Sequence, residues 1–203
     1  EHEHKNGFGL ENWKHDQKDE PETSANINAA TGKFSITYGD NVAFDLVIDA
    51  GYDYSQLSVA ANGYSMGLGQ SLVTDETTGV TTIHYVLGHV TGDTRITVSG
   101  IKRKTITINY FANAGDDVAQ VPGPQTGVKY YINKTGVTND HISSIKPSRN
   151  GYTFLGWCEV PSGDEVKANG KLTGYKVGET TYPLYQPGAE AKFTKDTNLY
   201  AIW

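Results

Sequence analysis

The sequence predicts a mainly β protein of two small domains, the first a small immunoglobulin-like β-sandwich. Three observations carry this. The chain holds 23 glycines and 13 tyrosines among many threonines and valines, a composition that favours short strands separated by turns. Apolar residues alternate with a period of two through 42–48, 80–87 and 105–111, as in strands with one buried face. Turn pairs recur between such runs, at Asn62-Gly63, Gly92-Asp93 and Asn150-Gly151.

A length of 203 residues supports one large domain or two small ones. A hydrophobic content of 37%, with 11% aromatic, is enough for packed cores. The single cysteine excludes an intrachain disulfide. No apolar run approaches the roughly 20 residues of a membrane-spanning helix. No signal peptide is recognisable, so an exported form is expected to be a mature chain or a fragment. The net charge of -6 arises in the first half; residues 104–203 are nearly balanced. Without a basic stripe, nucleic acid is not an expected partner.

Residues 1–30 show no steady period and read as a flexible or loosely docked lead, acidic from Asp16 to Ser24. Phe8, Leu10 and Trp13 are its apolar exceptions and would pin the segment onto a neighbour. His2, His4 and His15 with Glu3 and Asp16 invite a metal-site reading, but structural zinc sites prefer tighter spacing. Solvated histidines are expected instead.

Residues 31–103 form the first domain. After a turn at Thr31-Gly32, Phe34, Ile36 and Tyr38 alternate as a half-buried strand. Val42, Phe44, Leu46 and Ile48 share one face of the next. Residues 49–53 read as a loop, and Leu57–Ala61 as a short strand closed by Asn62-Gly63. Residues 67–79 read as a polar excursion. Val80–Leu87 and Arg95–Val98 are further strands. His84, His89 and Asp93 could be taken for a catalytic or metal group, but their positions suit one cross-strand residue and a turn. Asp49 with Asp53, and Asp75 with Glu76, lack any calcium-loop spacing. Spaced phrases such as Tyr-Gly-Asp-Asn-Val at 38–42, Gly-Tyr at 51–52 and Val-Thr-Gly-Asp-Thr-x-Ile-Thr-Val at 90–98 resemble repeat modules of clostridial-type surface proteins.

Residues 101–104 are a short join without a Pro/Gly/Ser linker, and 104–203 form the second domain. Thr105–Phe111 opens it, and a Gly/Pro-rich loop follows. Val128–Ile132 is a strand, Asn133–Gly136 a turn, and Thr138–Asp140 caps a short helix over 141–145. Tyr152–Trp157 is apolar on both faces and predicts a central strand; Gly156 within it marks a bulge or a close approach by another element. The polar turn Lys195–Asn198 introduces a last strand, Leu199–Trp203. Tyr152, Phe154, Trp157, Tyr200 and Trp203 are the expected structural core, each large ring worth about 2–3 kcal/mol when buried.

Pro-x-Arg-x-Gly-Tyr-x-Phe-x-Gly-Trp at 147–157, followed by Asp-x-x-Leu-Tyr-Ala-x-Trp at 196–203, resembles the Listeria–Bacteroides repeat, the B-repeat type of internalins and other bacterial surface proteins. The resemblance spans about 105–203. It departs from the family at Cys158, where an aromatic residue is usual, and in the length of the segment 159–195. It implies a β-grasp-like fold and a secreted, cell-surface or cell-wall setting. The low cysteine content fits a cytosolic protein and a Gram-positive exterior alike, and with the resemblance the expected setting is a Gram-positive bacterium. The resemblance implies no catalytic residues.

Tyr175, Tyr182 and Tyr185 of the 159–192 insert are the candidate binding residues, since loop tyrosines stack on sugars and anchor protein contacts. The competing expectation is that they cap a small core. Cys158 reads as a buried, inert thiol. No nucleophile–base set or metal constellation emerges, so neither an enzyme nor a cofactor is expected. The predicted function is a spacer or adhesion segment within a larger bacterial surface protein. The alternative is a module binding glycans, or proteins of a host or bacterial surface. Direct membrane insertion is not expected.

Overall fold

A computed structural model describes residues 4–15, 33 and 35–203. The chain is mainly β, and the main division between two compact units falls between Arg103 and Lys104.

The first unit begins with a 3-10 turn, Lys5–Gly7, and nine strands follow among the described residues. They are β1 (Phe8–His15), β2 (Val42–Ile48), β3 (Tyr52–Asp53), β4 (Ser58–Ala61), β5 (Tyr64–Ser65), β6 (Ser71–Thr74), β7 (Thr81–Leu87), β8 (Ile96–Ser99) and β9 (Lys102–Arg103). One sheet has the order β1-β2-β7-β6, a second β5-β4-β8, and β3 pairs with β9. Alternation in β2 puts Val42, Phe44, Leu46 and Ile48 inward, as the sequence predicts. Val59 of β4 joins Phe44, Leu46, Ile48, Ile83 and Tyr85 in one core, with Ile96 and Val98 of β8 packed against it. Both larger sheets thus contribute to the same interior.

Several expectations are corrected here. The lead is not loose along Phe8–His15. It forms an edge strand antiparallel to β2, from Phe8 opposite Ile48 to His15 opposite Val42. Phe8, Leu10 and Trp13 pack on the core, and the Trp13 ring lies 4.6 Å from that of Phe44. A register break between Glu11 and Lys14 absorbs Asn12, whose φ of 54° suits asparagine. β1 occupies the edge of β2 that a 34–38 strand would need. Residues 35–37 accordingly join no ladder, and Tyr38 is 79% exposed in a turn. The 67–79 excursion contains β6, which leaves no trace in the sequence pattern because all four of its residues are exposed. Residues 49–53 contain β3, and the 101–104 join contains β9, its partner. Thr31-Gly32, Phe34 and the acidic run 16–24 lie outside the described residues.

The second unit contains β10 (Thr105–Phe111), β11 (Ala119–Gln120), β12 (Gln125–Asn133), β13 (Gly136–Asn139), β14 (Ser148–Arg149), β15 (Gly156–Cys158), β16 (Asp164–Ala168), β17 (Lys171–Val177), β18 (Thr180–Pro183) and β19 (Thr197–Ile202). Its main sheet has the order β13-β12-β10-β19-β15. β10 and β19, its first and last strands, run parallel side by side, Ile108 opposite Thr197 and Phe111 opposite Tyr200. The inner face carries Ile106, Ile108, Tyr110, Val128, Trp157, Leu199 and Ala201. Ile142, Phe154, Ala191 and Phe193 cover it from irregular segments. The expected helix over 141–145 is absent. Residues 136–139 continue as β13, and 141–147 run without a ladder, tied by Ile142 N–H to Ala189 O (3.1 Å) and Gly188 N–H to Ser143 O (2.9 Å).

The 152–157 strand is shorter than expected, because the Asn150-Gly151 turn delays the ladder until Gly156. Tyr152 is therefore not core: it is 54% exposed, with the Arg149 guanidinium 3.6 Å above its ring. Arg149 is held in turn by Asp117. β15 lies between β19 and a bridge from Trp157 to Tyr185. The close approach at Gly156 is made by Leu184–Gln186. A Cβ there would fall 3.0 Å from Leu184 Cβ, at a φ of 154°. Phe154 and Trp157 are buried, whereas Tyr200 and Trp203 are half-buried.

Candidate functional site

The three candidate tyrosines belong to the insert, which folds as the meander β16-β17-β18 and the segment after it. Alternation and the turns at 169–170 and 178–179 set its register. Glu165, Tyr175 and Tyr182 are successive partners across the three strands and so share one face. Gly174 lets β18 approach closely, since a Cβ on it would lie 2.3 Å from Tyr182 O.

Tyr185 stands apart from the other two. Its ring meets Phe193 edge-on at 5.3 Å and packs against the main core. Its backbone exchanges two hydrogen bonds of 2.8 Å with Trp157. Burial, with help from the charge of Glu159, pushes its hydroxyl up to about 12. Its ring is used in packing. Tyr175 and Tyr182 are half-buried, as Tyr185 is, but are not among the residues packed on the main core. Burial raises the Tyr175 hydroxyl, and Glu165 adds to the effect.

The meander lies over Cys158, which is fully buried. The thiol donates to Tyr182 O at 3.7 Å. Burial raises its pKa, and the charge of Glu159 acts in the same direction. Glu159 is itself raised by burial, with Lys195 opposing. A thiol so placed stays protonated and packs, which is the opposite of nucleophile activation.

A further aromatic pair lies outside the set that the sequence singles out. Phe111 and Tyr200 stack at 5.2 Å with 22° between ring planes, and Phe111 is 43% exposed. Beside them Asn109 Nδ2 donates to Asn198 Oδ1 at 3.2 Å. Tyr200 is also the ladder partner of Cys158, so this pair adjoins the ground under the meander. The outward face at this point offers aromatic rings and neutral amides. Alternation in 105–111 places Phe111 outward, but its pairing with Tyr200 depends on a parallel contact that no local pattern encodes.

The histidines are dispersed. His4 and His15 lie at opposite ends of the β1–β2 ladder, His4 on Asp49 (2.7 Å) and His15 on Asp40 (3.0 Å). His2, Glu3 and Asp16 lie outside the described residues. His84 faces its cross-strand partner Asp45 at 2.8 Å, while the His89 N–H donates to Asn41 Oδ1 at 3.0 Å and Asp93 O accepts from Asn62. Asp53 accepts from Ser55, and Asp75 from Thr77 and Thr78, in local turns. Among the described residues no group of three or more ligating side chains is arranged to hold a metal ion. A groove of about 450 Å³ in the first unit, lined by Tyr64, Met66, Leu87, His89 and Asp93 among others, gathers none of the candidate tyrosines.

Comparison with protein-family models, with curated proteins and with solved structures gave no match.

Proposed function

We propose that the chain is a non-catalytic extracellular segment of a larger bacterial surface protein, in which the second unit is a B-repeat-type, β-grasp-like module and the first an immunoglobulin-like β-sandwich. Its role is that of a spacer or adhesion segment at a cell wall. One observation supports this above others: the parallel pairing of β10 with β19. Tension applied where β10 begins and β19 ends runs along the pair, not across it. All of its hydrogen bonds then resist together in shear, which suits a part that transmits force.

Single-molecule pulling tests this. The second unit held at residues 105 and 203 is expected to yield at several-fold higher force than the same unit held at 105 and 129. Thr105 and Lys129 are antiparallel partners, so the second geometry opens bonds one at a time. Equal forces in the two geometries would remove the support for a mechanical role.

A second reading, recognition of glycans or surface proteins, is favoured by Tyr175 and Tyr182, half-buried on one face of the meander, and by the Phe111–Tyr200 stack. On glycan and matrix-protein arrays a binder should lose its signal on Tyr182→Ala or Tyr200→Ala with the fold intact. A spacer has no such signal to lose. Tyr185→Ala is unsuitable, because that ring packs against the core.

A further inference from the structure

His4 immediately precedes the 3-10 turn and folds back over β1. Its ring covers Gly9, where a Cβ would lie 2.6 Å from the imidazole. Nε2 faces Glu11 Oε1 at 2.5 Å, and Nδ1 faces Asp49 Oδ1 at 2.7 Å. Both ring nitrogens therefore point at carboxylates. A neutral imidazole has one N–H and one lone pair, so it satisfies only one of them; the imidazolium donates to both. Glu11 belongs to β1, whereas Asp49 follows the last residue of β2. Of the charged side chains on the neighbouring β3–β9 pair (Asp53, Lys102 and Arg103), Asp53 accepts from Ser55 and Arg103 is engaged at Ala50 O (3.1 Å) and over the Tyr52 ring (5.3 Å).

We propose that His4 is a proton-operated clasp: its imidazolium ties the N-terminal end of β1 to the end of β2, and loss of one proton loosens that end of the edge strand. Deprotonation leaves a nitrogen lone pair against a carboxylate oxygen, and one contact turns from attraction to repulsion. Further tethers of β1 lie along the strand, in Asn12 to Asp45 (2.9 Å) and His15 to Asp40. Opening is thus expected to begin at Phe8 and stop short of His15.

The direction follows from linkage. The hydrogen bond to Glu11 raises the His4 pKa above its ordinary 6.5, burial opposes, and Asp49 adds to the rise. A group raised on folding stabilises fully below 6.5 and loses that contribution as pH climbs through the folded value. The clasp is closed in mild acid and relaxes on the alkaline side.

Hydrogen exchange of the whole chain between pH 6 and pH 9, expressed as protection factors to remove chemical base catalysis, reads the clasp. Amides of Phe8 to Glu11 are expected to lose up to about tenfold in protection for each unit by which the folded pKa exceeds the unfolded one, while those of β7 hold. In His4→Gln the dependence should vanish for β1. A proton NMR titration of the His4 ring should give a midpoint above 6.5. Protection independent of pH in the native chain, an unchanged slope in His4→Gln, or a midpoint at or below 6.5 would each overturn the proposal.

Discussion

A chain lacking residues 1–15 is expected to lose its first unit while the second remains folded. Among the described residues β1 is the only strand paired to the outer edge of β2, and it brings Phe8, Leu10 and Trp13 to the core. Burying a side chain of this size is worth about 1.5–3 kcal/mol, so three partly buried ones amount to roughly 3–6 kcal/mol. A small domain has about 5–15 kcal/mol in all. Removal also bares the β2 edge and uncovers the Phe44 ring beneath Trp13. In an NMR spectrum, dispersion should collapse for residues 35–103 and persist for 104–203. A truncated chain whose first unit melts at the temperature of the full one would refute this.

Trp157→Ala is expected to destabilise the second unit by about 3–5 kcal/mol, the cost of a large cavity in a packed core. The indole is fully buried, with Tyr110 edge-on at 4.9 Å and Phe154 at 5.2 Å. Trp157→Phe should cost clearly less. The buried Nε1 meets no acceptor among the described residues, and an unsatisfied buried donor costs about 1–3 kcal/mol. Phenylalanine removes volume and that penalty together. Urea unfolding of 104–203, followed by circular dichroism, gives both differences. Equal losses in the two variants would mean that the indole nitrogen is satisfied in solution.

These two changes fall on residues of unequal legibility. Trp157 is marked as core by its apolar strand and its size. β2, β7 and β10 are also readable, since seven alternating residues state a face directly. β1 is not. Its apolar residues Phe8, Leu10 and Trp13 are spaced unevenly, because the register break at Asn12 shifts the pattern. β6 lacks any buried face to declare it. Tyr152 looks like core because it continues the alternation of Phe154 and Gly156, yet the turn before it leaves it outside the ladder beneath Arg149. Among the candidate tyrosines, sequence does not separate Tyr185 from Tyr175 and Tyr182. What separates them is the bridge to Trp157, a contact across 28 residues that no local pattern announces.

The parallel pair at the middle of the second unit also governs when that unit can assemble. Asn109 and Asn198 meet across 89 residues of chain. Closing so long a loop costs entropy before any ladder bond repays it, and contacts of this separation slow folding. The central pair cannot form until the last strand has been made. A polypeptide emerging stepwise, from a ribosome or through a secretion pore, thus holds β10 without its partner until almost the whole unit is available. Folding of this unit is an event that follows its delivery.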